Sequence, residues 1–215
     1  RHHHLGGRAL KFTNVAGSDM PLAINTFGSY RRMEMALGCT NGGYEALAHK
    51  IEQLVKPEPP VGLLNKMKKG LELAKIASFA PKVVRSGTGQ ELFHEGDNVD
   101  LFKLPIIKCW PDDGDPSKFG YPFGLQHPGQ GRYITFGGVY TIHPDDAGVE
   151  GPRTSRNIGM YRAQVLSRNQ TAMHWHMHHD GARHWRSWKK RGERMPVAIV
   201  LGGESVLPYA ATAPL

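Results

Sequence analysis

The chain has 215 residues, 40% hydrophobic and 21% charged, with a net charge of +8 and two cysteines. That length and composition suit a globular protein of one or two domains with a real core, and exclude a disordered chain, a collagen-like repeat and a disulfide scaffold. No run approaches the ~18 apolar residues of a membrane span.

The N-terminal part reads as mixed α/β. The chain opens on Arg1-His2-His3-His4 without an initiator methionine. Ala9 to Phe12 and Pro21 to Asn25 are predicted strands, joined through a Gly17-Ser18-Asp19 turn. Arg31 to Leu37 is a predicted short helix stopped by Gly38. Tyr44 to Leu54 carries Leu47, Ile51 and Leu54 at helical spacing. Lys56-Pro57-Glu58-Pro59-Pro60 reads as a linker. Leu63 to Phe79 is a second amphipathic helix, with Leu64, Met67, Leu71, Ala74 and Ile76 near one face, ended by Ala80-Pro81.

From Val83 onward short strands and Gly/Pro turns dominate. Val99 to Leu104, Tyr133 to Ile142, Asn157 to Ser167 and Thr171 to His178 are predicted strands of a β-barrel or sandwich. Residues 115 to 131 form a long Gly/Pro/aromatic loop. A helix is predicted from about Gly181 to Arg191, capped by Gly192. The run Arg183, Arg186, Lys189, Lys190, Arg191 and Arg194 is expected as a solvated helix face, and Trp185 and Trp188 are expected to face the barrel. Val197 to Leu201 is an all-apolar run, expected as a strand buried on both faces. The chain closes on Thr212 to Leu215 with no terminal helix predicted, so both ends read as cut. A domain boundary is expected near residues 80 to 100.

The chemistry is concentrated between residues 157 and 184. If His174 to His178 continue a strand, His174, His176 and His178 share one face and Met173, Trp175 and Met177 the other. The Met/Trp face reads as core. The histidine face then looks into water, a metal or an anionic ligand. A structural zinc site is excluded by the lack of Cys-x-x-Cys, and His-Glu-x-x-His is absent. A His/Asn/carboxylate set suits a harder ion such as Mn²⁺ or Mg²⁺ that bridges to phosphate oxygens; His178 or His179 and Asn157 supply its first two members, and the carboxylate is not found. Arg162, in a strand otherwise rich in Met, Tyr, Ala and Val, is costly to bury unpaired. It should face a carboxylate, a phosphate or a structural acid. The basic balance likewise attracts phosphate, or forms a solvated surface. No helix-turn-helix, zinc-finger spacing or RNP-like run occurs, so no nucleic-acid partner is expected.

Taken together, Asn157-Ile158-Gly159-Met160-Tyr161-Arg162, Met173-His174-Trp175 with His178-x-x-Gly181-Ala182, and Met195 to Gly202 resemble the UbiD-like decarboxylases. Gly17 to Pro21, Asp100 to Pro105 and Cys109-Trp110-Pro111 agree, in the same order along nearly the whole chain. The stretch 116 to 131 departs from the compact turn expected there.

The resemblance implies an α+β fold: an N-terminal α/β domain over residues 1–95, then a split β-barrel related to flavin reductases over 96–215, with flanking helices. It implies reversible, non-oxidative decarboxylation of an aromatic or α,β-unsaturated carboxylic acid. The implied cofactor is prenylated FMN held through its phosphate by Mn²⁺ and often K⁺, and a prenyl-flavin synthase would supply it. Carried over residue by residue, Asn157 and His178 would bind the metal, with His179 an alternative, and Arg162 would sit beside the substrate carboxylate. Ile158, Gly159, Met160, Tyr161, His174, Trp175, His176, His179 and Asp180 would contact the flavin. Members of the family are longer, and they carry a metal-binding glutamate and an acidic catalytic network downstream of the residues matched here. The chain therefore reads as an N-terminal portion, inactive or nearly so alone, or as a non-catalytic flavin- or metal-binding module. Two cysteines without a framework and no signal sequence predict a cytoplasmic protein. Apolar barrel edges predict a homo-oligomer.

Overall fold

The computed structural model describes residues 7–39, 42–56, 59, 61–77, 84–149 and 155–213. Arg1 to His4, most of the predicted 56–60 linker and the Ala80-Pro81 stop lie outside the described residues. The chain divides into two units, Arg1–Gly38 with Asp97–Leu215, and Cys39–Gly96. The architecture is α+β.

The first unit begins with a hairpin. Strands β1 (Leu10–Phe12) and β2 (Leu22–Ile24) pair antiparallel, and the turn is closed by Ser18 N–H donating to the Val15 carbonyl. Helix α1 (Tyr30–Leu37) starts where the Ser29 hydroxyl accepts from the Arg32 amide, satisfying one orphan donor of the first turn. Arg32 then ties the helix to the hairpin by donating to the Thr26, Asn25 and Gly7 carbonyls.

The second unit contains helices α2 (Gly43–Val55) and α3 (Leu63–Ala77). Both lie where the spacing of Leu47, Ile51, Leu64, Met67 and Leu71 predicts them. In α3, however, Leu63, Leu64, Met67 and Leu71 are all more than half exposed.

The rest of the first unit holds two three-stranded antiparallel sheets. One has the order β3 (Tyr133–Ile134), β6 (Arg162–Val165), β7 (Thr171–His174). The other has the order β5 (Asn157–Met160), β4 (Gly138–Thr141), β8 (Ala198–Val200). The predicted runs Tyr133–Ile142 and Asn157–Ser167 are each split, because each passes from one sheet to the other: the first over residues 135–137, the second at Tyr161 alone. Among the described residues the strands form no closed barrel. Ile134, Ala163 and Val165 make the buried core, against which Leu101, Phe102, Ile106, Met173 and Ile199 pack.

Three further expectations are corrected. Residues 101–103 form a 3₁₀ turn rather than a strand, because the Asp100 carboxylate accepts from the Phe102 amide, a local bond that competes with a sheet ladder. The Val197–Leu201 run is not buried on both faces. β8 lies at a sheet edge, with Ala198 and Val200 exposed and Ile199 alone turned to the core. A four-residue helix, α5 (Leu207–Ala210), does form near the end, and its Tyr209 ring meets Phe27 edge-on at 5.4 Å.

Helix α4 (Asp180–Arg191) ends at Gly192, as predicted. Ala182, His184 and Trp188 are buried, whereas Arg183, Arg186, Lys189 and Lys190 are exposed. Trp185 stays 45% exposed over an open pocket that it lines with Thr171 and Met173 of β7 and Ile199 of β8, with the Lys189 ammonium 4.9 Å from its ring. The long 115–131 loop contains one 3₁₀ turn, Pro116–Phe119, capped by Asp115. It is pinned to the sheets by Gln130 donating to Leu166 O and by His127 stacked on Phe102. Among the described residues no helix is long and apolar enough to cross a membrane.

Candidate functional site

The crossing at Tyr161 shapes the candidate site. This residue belongs to neither sheet, so its side chain is not held in a strand row. Its ring lies 5.9 Å from Trp175, edge to face, and 5.1 Å from His179. Its hydroxyl oxygen accepts two long hydrogen bonds, from Asn157 Nδ2 at 3.5 Å and from the Gly181 amide at 3.4 Å. One phenol thus joins strand β5 to the first turn of α4. Two glycines make room: a Cβ at Gly159 would overlap the Tyr161 ring, and one at Gly181 would lie 2.9 Å from the Trp175 indole.

The histidine run differs from its expected form. β7 stops at His174, and residues 175–179 turn into the helix, so His174, His176 and His178 do not form one strand face. The turn is held by His176 N–H donating to His179 Nδ1 at 3.2 Å. Histidine here acts as a turn-forming acceptor, which a period-2 reading does not anticipate. Trp175 is half-buried, but Met177 is exposed, so the expected Met/Trp core face holds only for Met173 and Trp175.

The rings instead form a chain. His174 contacts His176 with centroids 5.4 Å apart, and His176 contacts His179 at 5.3 Å. Arg162 is paired in register with His174 across β6 and β7, which puts it next to this chain. Arg162 is exposed and has no acidic partner among the described residues, so the expected burial of its charge does not occur. His178 is exposed and joins none of these ring contacts, whereas His179 is half-buried within them. Asn157 and Gly159 lie on one face of β5, and Ile158 and Met160 on the other. Asp180 pairs with Arg183 at 3.0 Å in the first turn of α4.

Sequence reasoning missed Thr141. Its hydroxyl and His184 Nδ1 share a 2.9 Å hydrogen bond, with each residue only 2% exposed. Burial is the main cause that pushes the His184 imidazole below its ordinary value, with the Arg183 charge and His143 adding to it and Asp180 opposing. Nothing local in the sequence signals a contact across 43 residues.

The arrangement offers flat aromatic and imidazole faces, one carboxamide and an uncommitted guanidinium. The Trp175 indole N–H is buried without a hydrogen-bond partner among the described residues. This fits a planar heteroaromatic group that carries acceptors and negative charge. Among the described residues no three His, Cys, Asp or Glu side chains converge to hold a metal by themselves.

The family model for the 3-octaprenyl-4-hydroxybenzoate carboxy-lyase Rift-related domain matches residues 82–215, and that for the N-terminal domain of the same carboxy-lyase matches residues 1–51. The chain belongs to the UbiD family. An uncharacterized protein of Aquifex aeolicus (strain VF5) is 42% identical over 210 residues, which cover 98% of this chain and 38% of that protein. The chain therefore spans little more than a third of that UbiD relative. Vanillic acid decarboxylase of Sedimentibacter hydroxybenzoicus, in its closed form, shares the fold at a TM-score of 0.67 and 19% identity, over 96% of this chain and 36% of that one. The UbiD-class enzyme HmfF of Pelotomaculum thermopropionicum, in complex with FMN, aligns at a TM-score of 0.55 and 20% identity, over 93% and 35%.

Proposed function

We propose that this chain forms the cofactor-holding part of a carboxy-lyase that reversibly removes CO₂ from an aromatic or α,β-unsaturated acid with prenylated FMN. The observation that carries the reading is the Tyr161 junction, which gathers Asn157, Trp175, His179 and Gly181 beside the unpaired Arg162. In this reading residues 96–215 are the flavin-binding domain, with the two sheets as halves of a split barrel, and residues 1–95 are the N-terminal domain.

The roles follow from side-chain chemistry. Arg162 binds the substrate carboxylate through its fork of donors. Tyr161 and Trp175, set edge to face, would give the flavin an aromatic corner, and the Trp175 N–H would donate to one of its acceptors. His174, His176, His179 and Asp180 line the same turn, with Ile158, Gly159 and Met160 along the strand. The Asn157 carboxamide oxygen and the His178 imidazole, exposed and without a partner among the described residues, would hold Mn²⁺, and K⁺ beside it, which would supply positive charge for a flavin phosphate. Prenylated FMN, when bound, supplies the electron sink for the charge left as the C–C bond to CO₂ breaks. The chain orients that bond and excludes water from it. The cofactor comes from a prenyl-flavin synthase, and the protein works in the cytoplasm as a homo-oligomer.

Alone, the chain is nearly inactive in this reading, because among the described residues Arg162 meets no carboxylate that could relay a proton. That same observation favours a second reading, a flavin-binding module without catalysis. Co-expression with a prenyl-flavin synthase tests both. The expected result is a purified chain that retains flavin absorbance but exchanges little ¹⁴CO₂ with an aryl or acrylic acid. Exchange should appear when the remaining part of a longer relative is supplied, and Arg162→Ala should abolish it. A chain that retains no flavin overturns both readings. Flavin without exchange after complementation leaves only the binding module.

A further inference from the structure

Helix α4 grips the end of strand β4 with one face. His184, Trp188 and Arg191 recur at helical spacing. They meet successive groups of the chain: the Thr141 hydroxyl, the Ile142 carbonyl, which accepts from Trp188 Nε1 at 2.8 Å, and the Pro144 carbonyl, which accepts from Arg191. Arg191 also pairs with Asp145. His143, between these groups, has its ring 6.0 Å from that of His184. The contact at Thr141 differs from the others in two ways. It is fully buried, and Thr141 is the register partner of Asn157 across β4 and β5. Residues paired in this way put their side chains on the same face of a sheet, here the face that carries α4.

We propose that Thr141 and His184 are positioning residues, whose buried hydrogen bond sets the first turn of α4, and the 176–180 turn before it, at a fixed distance from Asn157. The functional part of this inference rests on the reading of Asn157 and His178 as metal-binding partners. Among the described residues their elements are joined by hydrogen bonds only through Tyr161, by the two long ones. A 2.9 Å bond in a dry site resists displacement better than those two. The spacing between the Asn157 carboxamide and the 176–180 turn is therefore set one layer behind the site.

Thr141→Val removes the hydroxyl at nearly constant shape, and Thr141→Ser keeps it. Amide hydrogen exchange of the unliganded chain is the deciding measurement. With Val, exchange at residues 178–182 is expected to quicken about tenfold or more relative to Val139 and Gly159, since a buried imidazole loses its partner. With Ser it is expected to stay close to the parent. Unchanged protection in Thr141→Val, or failure of Ser to restore it, overturns the proposal. Should Thr141→Val not fold, His184→Asn, which offers a polar atom near the Nδ1 position, is compared with His184→Leu. Asn is expected to keep the local protection and Leu to lose it, and equal protection in the two overturns the proposal. FMN fluorescence quenching with Mn²⁺ reports the functional consequence, expected as roughly tenfold weaker binding in Thr141→Val, in line with the effect of supporting-group losses on metal affinity. A parent chain that binds no FMN counts against the proposed function, while the exchange result still decides the positioning role.

Discussion

Helices α3 and α4 carry similar apolar spacing, yet α4 buries Ala182, His184 and Trp188 against the sheets while α3 leaves Leu63, Leu64, Met67 and Leu71 mostly exposed. Periodicity tells that a helix has a face, but not what the face meets. In α4 the face is fixed by polar groups as well as apolar ones: an indole N–H, an imidazole and a guanidinium each find a specific oxygen. Such bonds define a register along the helix, which apolar contact alone does not.

The comparison breaks most readily at Trp188, 8% exposed and bonded through its N–H. Trp188→Ala is expected to cost about 3–5 kcal/mol in urea unfolding; a cost below about 1 kcal/mol would mean that α4 is held no better than an isolated helix.

Next in size is a pH effect at His184. Its folded-state value lies below the ordinary 6.5 because burial disfavours the charged ring. The unfolded chain thus binds the proton more readily, and stability is full above about 6.5 and lost as pH falls toward the lowered folded value. The charged groups that face the ring, Arg183 and His143, push the same way, and Asp180 opposes them. Between pH 7.5 and 5.5 the melting temperature of the parent should fall further than that of His184→Asn. Parallel curves for the two proteins would contradict the assignment.

The smallest effect is expected in α3, where Leu71→Ala should change stability by no more than about 0.5 kcal/mol. A loss above about 1.5 kcal/mol would sharpen the comparison differently, by showing that this face is covered in solution, for example by a second copy of the chain. Size-exclusion chromatography of the same variant separates the two cases, since loss of an interface also lowers the apparent mass.

The differing legibility of the molecule follows from how far each interaction reaches. Helix α4 was readable because Gly192 and the spacing of Ala182, Trp185 and Trp188 are local signals. The strand content of 157–165 was readable too, but not its division at Tyr161. Alternation describes one strand and carries no information about which neighbour pairs with it. The histidine stretch misled because imidazoles at 174, 176 and 178 alternate like strand residues, whereas His179 Nδ1 captures the His176 amide and turns the chain. The site residues themselves came from the resemblance of motifs, and the structure brings together Asn157, Tyr161, Trp175, His176, His179 and Gly181 by contact. Arg162 joins them only through its register with His174, and His178 remains outside. The Thr141 contact was invisible, because a threonine in a β-rich run reads as an ordinary strand residue until its partner is known.

The crossing at Tyr161 has a kinetic consequence. Its partners lie in β5, the 175–179 turn and the first turn of α4, 4 to 20 residues away, whereas Gly138 of β4 pairs with Val200 of β8. Contacts of such short sequence separation cost less loop-closure entropy than the pairing of β4 with β8. In a refolding experiment, ordering around Tyr161 should therefore precede the docking of β8 on β4, which makes the junction an early step of assembly rather than the last.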